Sequence, residues 1–297
     1  MSKVIEYNKW MSEKLGWKPE WFDCAEFNEE LIEKIKEFQR EAGIESDGYC
    51  GAGTFRRLLS WRAEEIEKSD GDHLYSDHII CHGDPVPIGW DKVVLWSDEK
   101  GLKAKEGCYK RVDGKRDINL FVNHWDVCLS SAMCQRVLDQ RGISVHFLID
   151  NDGTIYQTLD TTHIAWHAGN ANSFSVGVEI TNGFYLKHQN KYVRNGFGER
   201  PVVKDAIVNG NKLEDHTGFY PVQIDALKAL TEAIHKGLNI PLETPKNITG
   251  TEYTDTMTKS RIKGYRGFVH HYHLTKRKTD CGGLDLTKII KAVKDGS

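Results

Sequence analysis

The chain has 297 residues, 39% of them hydrophobic and 10% aromatic, which suits one large or two smaller packed domains and leaves little scope for disorder. Its 40 basic and 43 acidic side chains give a formal net charge of -3, which offers no electrostatic case for a nucleic-acid partner. No run approaches the roughly 20 apolar residues of a membrane-spanning helix, and the start, MSKVIEYNKWMSEKLGW, has charges where a signal peptide has its apolar core. The expectation is a monomer with no membrane partner, synthesised in the cytoplasm. Seven cysteines, with no CxxC pair, argue against a disulfide scaffold and against a four-cysteine zinc site.

After an ill-defined start, Phe27, Leu31, Ile35 and Phe38 recur at helical spacing, with Asn28 as N-cap, Glu29 and Glu30 in the first turn and Gly43 at the end. A turn at Asp47-Gly48 and a loop through Gly51 and Gly53 lead to Thr54 as a second N-cap, followed by Phe55, Leu58 and Leu59. The stretch Phe38 to Leu59, FQREAGIESDGYCGAGTFRRLL, resembles the three-helix peptidoglycan-binding module found beside many cell-wall hydrolases. The resemblance covers about residues 22 to 62 and implies a small helical wall-binding domain over 1–62. Helix, turn and N-cap alone would also describe an unrelated helical hairpin. Residues 63–72, charged and turn-rich, read as a linker, and 73–297 as the second domain, with its core at about 116–292.

In the second domain, 73 to 115 reads as an irregular leading extension with one strand at Val93 to Trp96; His78, Cys81 and His82 lack a second ligand pair at metal-binding spacing. Ile118, Leu120 and Val122 alternate with Asn119 and Phe121 as a strand does, and His124 stands just past its expected end. Ser130 or Ser131 can cap a helix closed by Gly142. SVHFLI, DNDG and TIYQTL form a hairpin. After the polar loop HIAWHAGNANSF, Val176, Val178 and Ile180 share one strand face while Gly177 and Glu179 share the other. Glu179 is then either a site carboxylate or an edge-strand residue reaching solvent. Residues 182–220 read as an inserted polar hairpin. From Pro221, the residues Ile224, Leu227, Leu230, Ile234 and Leu238 make an amphipathic helix. A polar loop around 243–264 follows it.

The last segment, GFVHHYHLTKRKTDCGGLD from Gly267 to Asp285, reads as a buried strand and a loop that gather His270, His271, His273, Lys278, Asp280 and Cys281. Imidazole, carboxylate and thiolate are the side chains that hold zinc, and a hydrolytic zinc needs three of them plus an open position. With His124, WHAG at Trp166 to Gly169, SVGVEI at Ser175 to Ile180 and KTD at Lys278 to Asp280, these residues resemble the zinc-dependent N-acetylmuramoyl-L-alanine amidases. That fold is shared with phage lysozyme-type amidases and animal peptidoglycan recognition proteins.

The resemblance implies an α/β fold with a central mixed β-sheet flanked by helices, a Zn2+ cofactor and bacterial peptidoglycan as partner. It assigns His124 and His271 as zinc ligands, with Asp280 as the third. Cys281 is the alternative: phage lysozyme-type members carry a cysteine at the position of Asp280, and here Cys281 stands one residue later, in the place of the family's proline. Adjacent residues of an extended segment point opposite ways, so one of the two binds. It also implies Glu179 as general base, Lys278 as partner of the developing oxyanion, and Trp166 and His167 as substrate contacts; for the last two a packed aromatic and a hydrogen-bonded histidine is the other reading. The family often has a tyrosine where this chain has Val145. The spacing of Cys128 and Cys134 resembles a disulfide loop of the recognition proteins, although a cytosolic chain would keep them reduced. The reaction implied is cleavage between muramic acid and L-alanine, in a phage endolysin acting on the wall after release from the cytoplasm. The alternatives are a non-catalytic peptidoglycan receptor and a zinc endopeptidase acting within the stem peptide.

Overall fold

A computed structural model describes residues 2–68 and 73–296, so positions 69–72 of the expected linker lie outside the described residues. The chain forms two compact units, residues 1–64 and 65–297.

The first unit contains α1 (Lys3–Leu15), α2 (Glu29–Glu41) and α3 (Ala52–Arg62). The start that the sequence left undefined is thus a helix, capped by Ser2 and closed by Gly16 at φ 79°. Its buried stripe is Ile5, Asn8, Met11 and Leu15, so a polar residue interrupts the apolar pattern. Asn8 is there for its amide, which donates to Gly48 O at 2.9 Å and accepts from Cys50 N at 2.8 Å. Asn28 caps α2 as expected, accepting from Leu31 N at 3.0 Å. Helix α3 starts earlier than Thr54, with Gly51 as its N-cap. Thr54 serves a different contact: Gln39 Nε2 lies 3.2 Å from its hydroxyl and 2.8 Å from Asp47 Oδ1, while Gln39 Oε1 accepts from Gly48 N at 2.8 Å. The FQ, DG and GxxT pieces of the sequence are therefore one network centred on Gln39.

The second unit opens with β1 (His78–Cys81), β2 (Asp84–Pro87), β3 (Val93–Leu95) and β4 (Tyr109–Lys110), so the expected irregular extension is a hairpin and two short strands. It continues with β5 (Leu120–Trp125), α4 (Ser131–Arg141), β6 (Phe147–Ile149), β7 (Ile155–Gln157), β8 (Ile164–Ala165) and β9 (Ser175–Ile180). The region 182–220 holds α5 (Gln189–Arg194) and four two-residue strands, β10 (Val202–Val203), β11 (Ile207–Val208), β12 (Asn211–Lys212) and β13 (His216–Thr217). Then come α6 (Pro221–Leu238), α7 (Lys259–Gly264), β14 (Gly267–His270) and α8 (Leu286–Gly296).

Six strands form one mixed sheet in the order β14-β5-β9-β6-β7-β3. β14, β5, β9 and β6 run parallel, and β7 closes the SVHFLI hairpin antiparallel to β6. Helices flank the sheet, with α6 packed on β6, β1 and α8. Strand β5 lies between β14 and β9 and is buried on both faces, so it runs on through His124 to Trp125 rather than ending before the histidine.

The register sorts the side chains. Leu120, Val122 and His124 pair with Ser175, Gly177 and Glu179 across β5 and β9, and all six share one face. Leu120 and Val122 pack there with Val269, Ala168, Ala171 and Met257. Because β9 is an interior strand, Glu179 is not an edge residue reaching solvent.

The expected inserted hairpin is present at 202–217, where β10–β13 and β11–β12 pair antiparallel in one register about the turn at Asn209-Gly210; α5 precedes it, and the region is tied to the unit by Arg200. Its buried guanidinium sits 4.4 Å from the ring centres of both Tyr192 and Tyr220 and donates to Gly218 O at 2.9 Å and Thr181 O at 3.0 Å. A polar, irregular sequence keeps order here through one buried cation together with buried Tyr192, Val208 and Tyr220. In the stretch 243–264, read as a loop, Thr258 caps the short helix α7 by accepting from Arg261 N at 3.3 Å.

Candidate metal and active site

The site forms at the carboxyl ends of parallel strands, where open α/β sheets place their ligands. His124 is the penultimate residue of β5, and His271 follows the last residue of β14, on the neighbouring strand. The loop after β14 returns Asp280 to both. His124 Nδ1 lies 2.9 Å from His271 Nδ1 and 3.2 Å from Asp280 Oδ2, and His271 Nδ1 lies 3.0 Å from the same oxygen. All three residues are buried. Two imidazole nitrogens and a carboxylate oxygen thus converge on one point.

That donor set fits zinc. Ligand bonds of about 2.0 Å in tetrahedral geometry separate donor atoms by about 3.3 Å, close to the three distances found, and the fourth position stays open. The electrostatics agree. Burial pushes the His124 pKa down to about 4, with His271 adding to the effect, so the imidazole is neutral and able to ligate. Burial alone would raise the Asp280 carboxyl, yet His271, His124 and the Lys278 ammonium hold it well below the usual carboxylate range.

The remaining expected residues are distributed around this point. Glu179, half-buried, is the β9 neighbour of His124 on the same sheet face. Lys278 is half-buried, and its charge acts on both His124 and Asp280. Cys281, the alternative ligand, is fully buried, and burial with Asp280 beside it pushes its thiol well above the ordinary value. Its sulfur is not part of the three-residue cluster. Trp166 is 37% exposed on the loop after β8.

His167 lies beside the first histidine of the cluster and is half-buried. Its Nδ1 lies 2.9 Å from His124 Nε2, on the side of that ring away from His271 and Asp280. His270 and His273 also turn away from the cluster: His270 Nε2 lies 2.8 Å from Leu284 O, and His273 Nε2 lies 2.6 Å from Tyr253 O. His146 received no role from the sequence. It lies on the face of Gly177, its ring 5.8 Å from that of His167, and its Nδ1 accepts from Gly177 N at 3.3 Å. The alternation in SVHFLI already put it on one face with Leu148, but not beside a loop residue.

A second buried cluster joins Asp126, Cys128 and Cys134, whose cysteines are free thiols. Among the described residues, no helix is long and apolar enough to cross a membrane.

Solved amidases are among the structures to which the chain is similar. An endolysin N-acetylmuramoyl-L-alanine amidase from Clostridium intestinale is 16% identical, covering 68% of this chain and 95% of that one, with a TM-score of 0.41. The Ph2119 endolysin of a Thermus scotoductus bacteriophage is 18% identical over 63% of this chain and 90% of its own, with a TM-score of 0.35. The N-acetylmuramyl-L-alanine amidase AmiD from E. coli, solved with an anhydro-N-acetylmuramic acid peptide, is 23% identical over 48% of this chain and 55% of its own, with a TM-score of 0.31. No curated protein matches by sequence. Residues 114–283, more than half of the chain, match the model of the N-acetylmuramoyl-L-alanine amidase family, and the chain belongs to that family of peptidoglycan-cleaving enzymes.

Proposed function

We propose that His124, His271 and Asp280 hold a Zn2+ ion and that the chain hydrolyses the amide bond between N-acetylmuramic acid and the L-alanine of the stem peptide. The observation that carries this reading is the convergence of two imidazole nitrogens and one carboxylate oxygen within 3.2 Å, with Glu179 on the adjoining strand. Bound there, zinc would act as a Lewis acid able to bring the pKa of a water to about 7. Glu179 takes the proton of the attacking water and returns it to the departing L-alanine nitrogen. Lys278 faces the negative charge that develops on the lactyl carbonyl oxygen. Trp166 presents its exposed ring to the stem peptide.

Zinc analysis and mass spectrometry of released muropeptide fragments test this for wild type, Asp280→Ala and Cys281→Ala. Metal and free stems beginning at L-alanine should disappear only in Asp280→Ala. If Cys281→Ala alone empties the site, the ligand set is wrong. Stems cut after the alanine would replace the amidase with an endopeptidase.

Residues 1–62 act as a wall anchor in this reading, supported by the Gln39 network that unites the motif pieces. Removing them should slow the clearing of insoluble walls and leave cleavage of a soluble muropeptide unchanged. Equal loss on both substrates would sink the anchor. An anchored wall amidase fits a lytic, endolysin-type role. Expression in bacteria followed by membrane permeabilisation should then clear the culture, and unchanged turbidity would count against that role.

A further inference from the structure

We infer that His167 is a positioning residue for His124, holding its ring so that Nδ1 faces the metal position, and that Gly177 is the seat this arrangement requires. The inference rests on the proposed metal site. It gives His167 a role exerted through a neighbouring ring, beyond the substrate contact expected of it.

Ligation of a metal through His124 Nδ1 selects one set of tautomers along the hydrogen-bond chain. A neutral His124 that ligates through Nδ1 carries its proton on Nε2. That N–H donates to His167 Nδ1 at 2.9 Å, which leaves the His167 proton on Nε2, where it donates to Ser175 Oγ at 3.2 Å. The line from Ser175 to His124 to the metal position is then directional from end to end. Metal-bound histidines generally need such a partner on the second nitrogen, and removing it typically costs 10–100-fold in metal affinity.

The placement of His167 is built from three sides. Asn172 Oδ1 accepts from His167 N at 3.1 Å and from Ala168 N at 2.6 Å, pinning the loop. The ring lies over Gly177, where an added Cβ would come within 2.4 Å of His167 Nδ1 and 2.6 Å of Cε1. Gly177 has ordinary strand pairing and no left-handed φ, so the absence of a side chain serves this close approach rather than backbone freedom. His124 and His146 flank the ring edge-to-face, with ring centres 5.2 Å and 5.8 Å away. A loop histidine is thus clamped onto the bare centre of the sheet, beside the strand that carries the first ligand.

The test measures Zn2+ affinity by competition with a chromophoric chelator for wild type, His167→Ala, His167→Gln and Gly177→Ala, each verified as folded by circular dichroism. His167→Ala and Gly177→Ala should bind Zn2+ about 10–100-fold more weakly, and His167→Gln, whose side-chain oxygen can accept from His124 Nε2–H, should recover most of the loss. Nitrogen-15 spectra of the zinc-loaded protein supply a readout independent of activity. The His167 proton should reside on Nε2, with His124 Nε2–H hydrogen-bonded to His167 Nδ1 and losing that bond in His167→Ala. Zinc affinity within twofold of wild type in His167→Ala, or a His167 proton on Nδ1, overturns the inference. A wild type that takes up no zinc overturns the metal reading instead.

Discussion

Among the described residues, two buried clusters of potential metal ligands lie within the catalytic unit, and they are built for opposite ends. At His124, His271 and Asp280, lone-pair-bearing atoms of three side chains face each other at 2.9 to 3.2 Å. At Asp126, Cys128 and Cys134, the carboxylate is already occupied: Oδ1 accepts from Cys128 N at 2.9 Å and Asn182 N at 3.0 Å, and Oδ2 accepts from Thr181 Oγ1 at 3.1 Å. Burial, with Cys128 and Asp126 beside it, pushes the Cys134 thiol well above its ordinary value, so it stays protonated, whereas a metal needs the thiolate. Ligand type alone does not make a metal site. The lone pairs must be left over once the backbone has been satisfied.

The sharpest break of this comparison is Asp280→Ala, which should reduce zinc content to background and stop release of stem peptides, as read by metal analysis and fragment masses. Glu179→Gln should keep zinc and lower kcat by about 10²–10⁴-fold, the usual contribution of a general base. Retained activity would remove Glu179 from the mechanism. Lys278→Met should cost about 10²–10³-fold in kcat at unchanged zinc content if its charge supports the oxyanion. Asp126→Ala should behave in the reverse manner, leaving zinc stoichiometry unchanged and lowering stability by about 3 kcal/mol, because three buried donors lose their acceptor. Denaturant unfolding checks that figure, and a loss of zinc there would erase the contrast between the clusters.

The smallest effect concerns histidines outside both clusters. Burial holds His146 and His188 at pKa values of about 3, against 6.5 for an ordinary histidine, and both ring nitrogens of His188 lack a hydrogen-bond partner. Below pH 6.5 the unfolded chain binds protons that the folded chain refuses. Stability should therefore be unaffected by these groups above that pH and fall as the pH descends from 6.5 toward 3. Thermal unfolding of His188→Phe across pH 4–8 should show a shallower acid limb than wild type; parallel limbs would remove His188 as a cause.

Much was legible along the chain where the signal is local. The cap Asn28, a cap at Ser130 or Ser131 that the structure gives to Ser130, the SVHFLI hairpin and the helix opening at Pro221 are set by neighbours within a few residues, and the structure has each of them. Helix α1 was missed because Asn8 breaks its apolar stripe to serve a loop some forty residues away. Region 182–220 does hold its hairpin, at 202–217, but helix α5 and the seat of Arg200 between two tyrosines left no periodic signal. His124 was picked out as a ligand candidate, but the strand end beside it was drawn too early, since the strands pairing β5 on both sides are distant in sequence.

By itself the sequence determined the chemistry on offer: histidines, carboxylates and a lysine in the order that marks the amidase family, and alternation that puts Gly177 and Glu179 on one strand face. Only the tertiary structure decided which atoms converge. It set Asp280 rather than Cys281 beside the two histidines and turned His270 and His273 toward backbone carbonyls. It also laid His167 over Gly177 behind His124. The reason is that donor convergence depends on distances between strands and loops far apart along the chain, and those are set by sheet register and loop packing, which leave no periodic mark on the sequence.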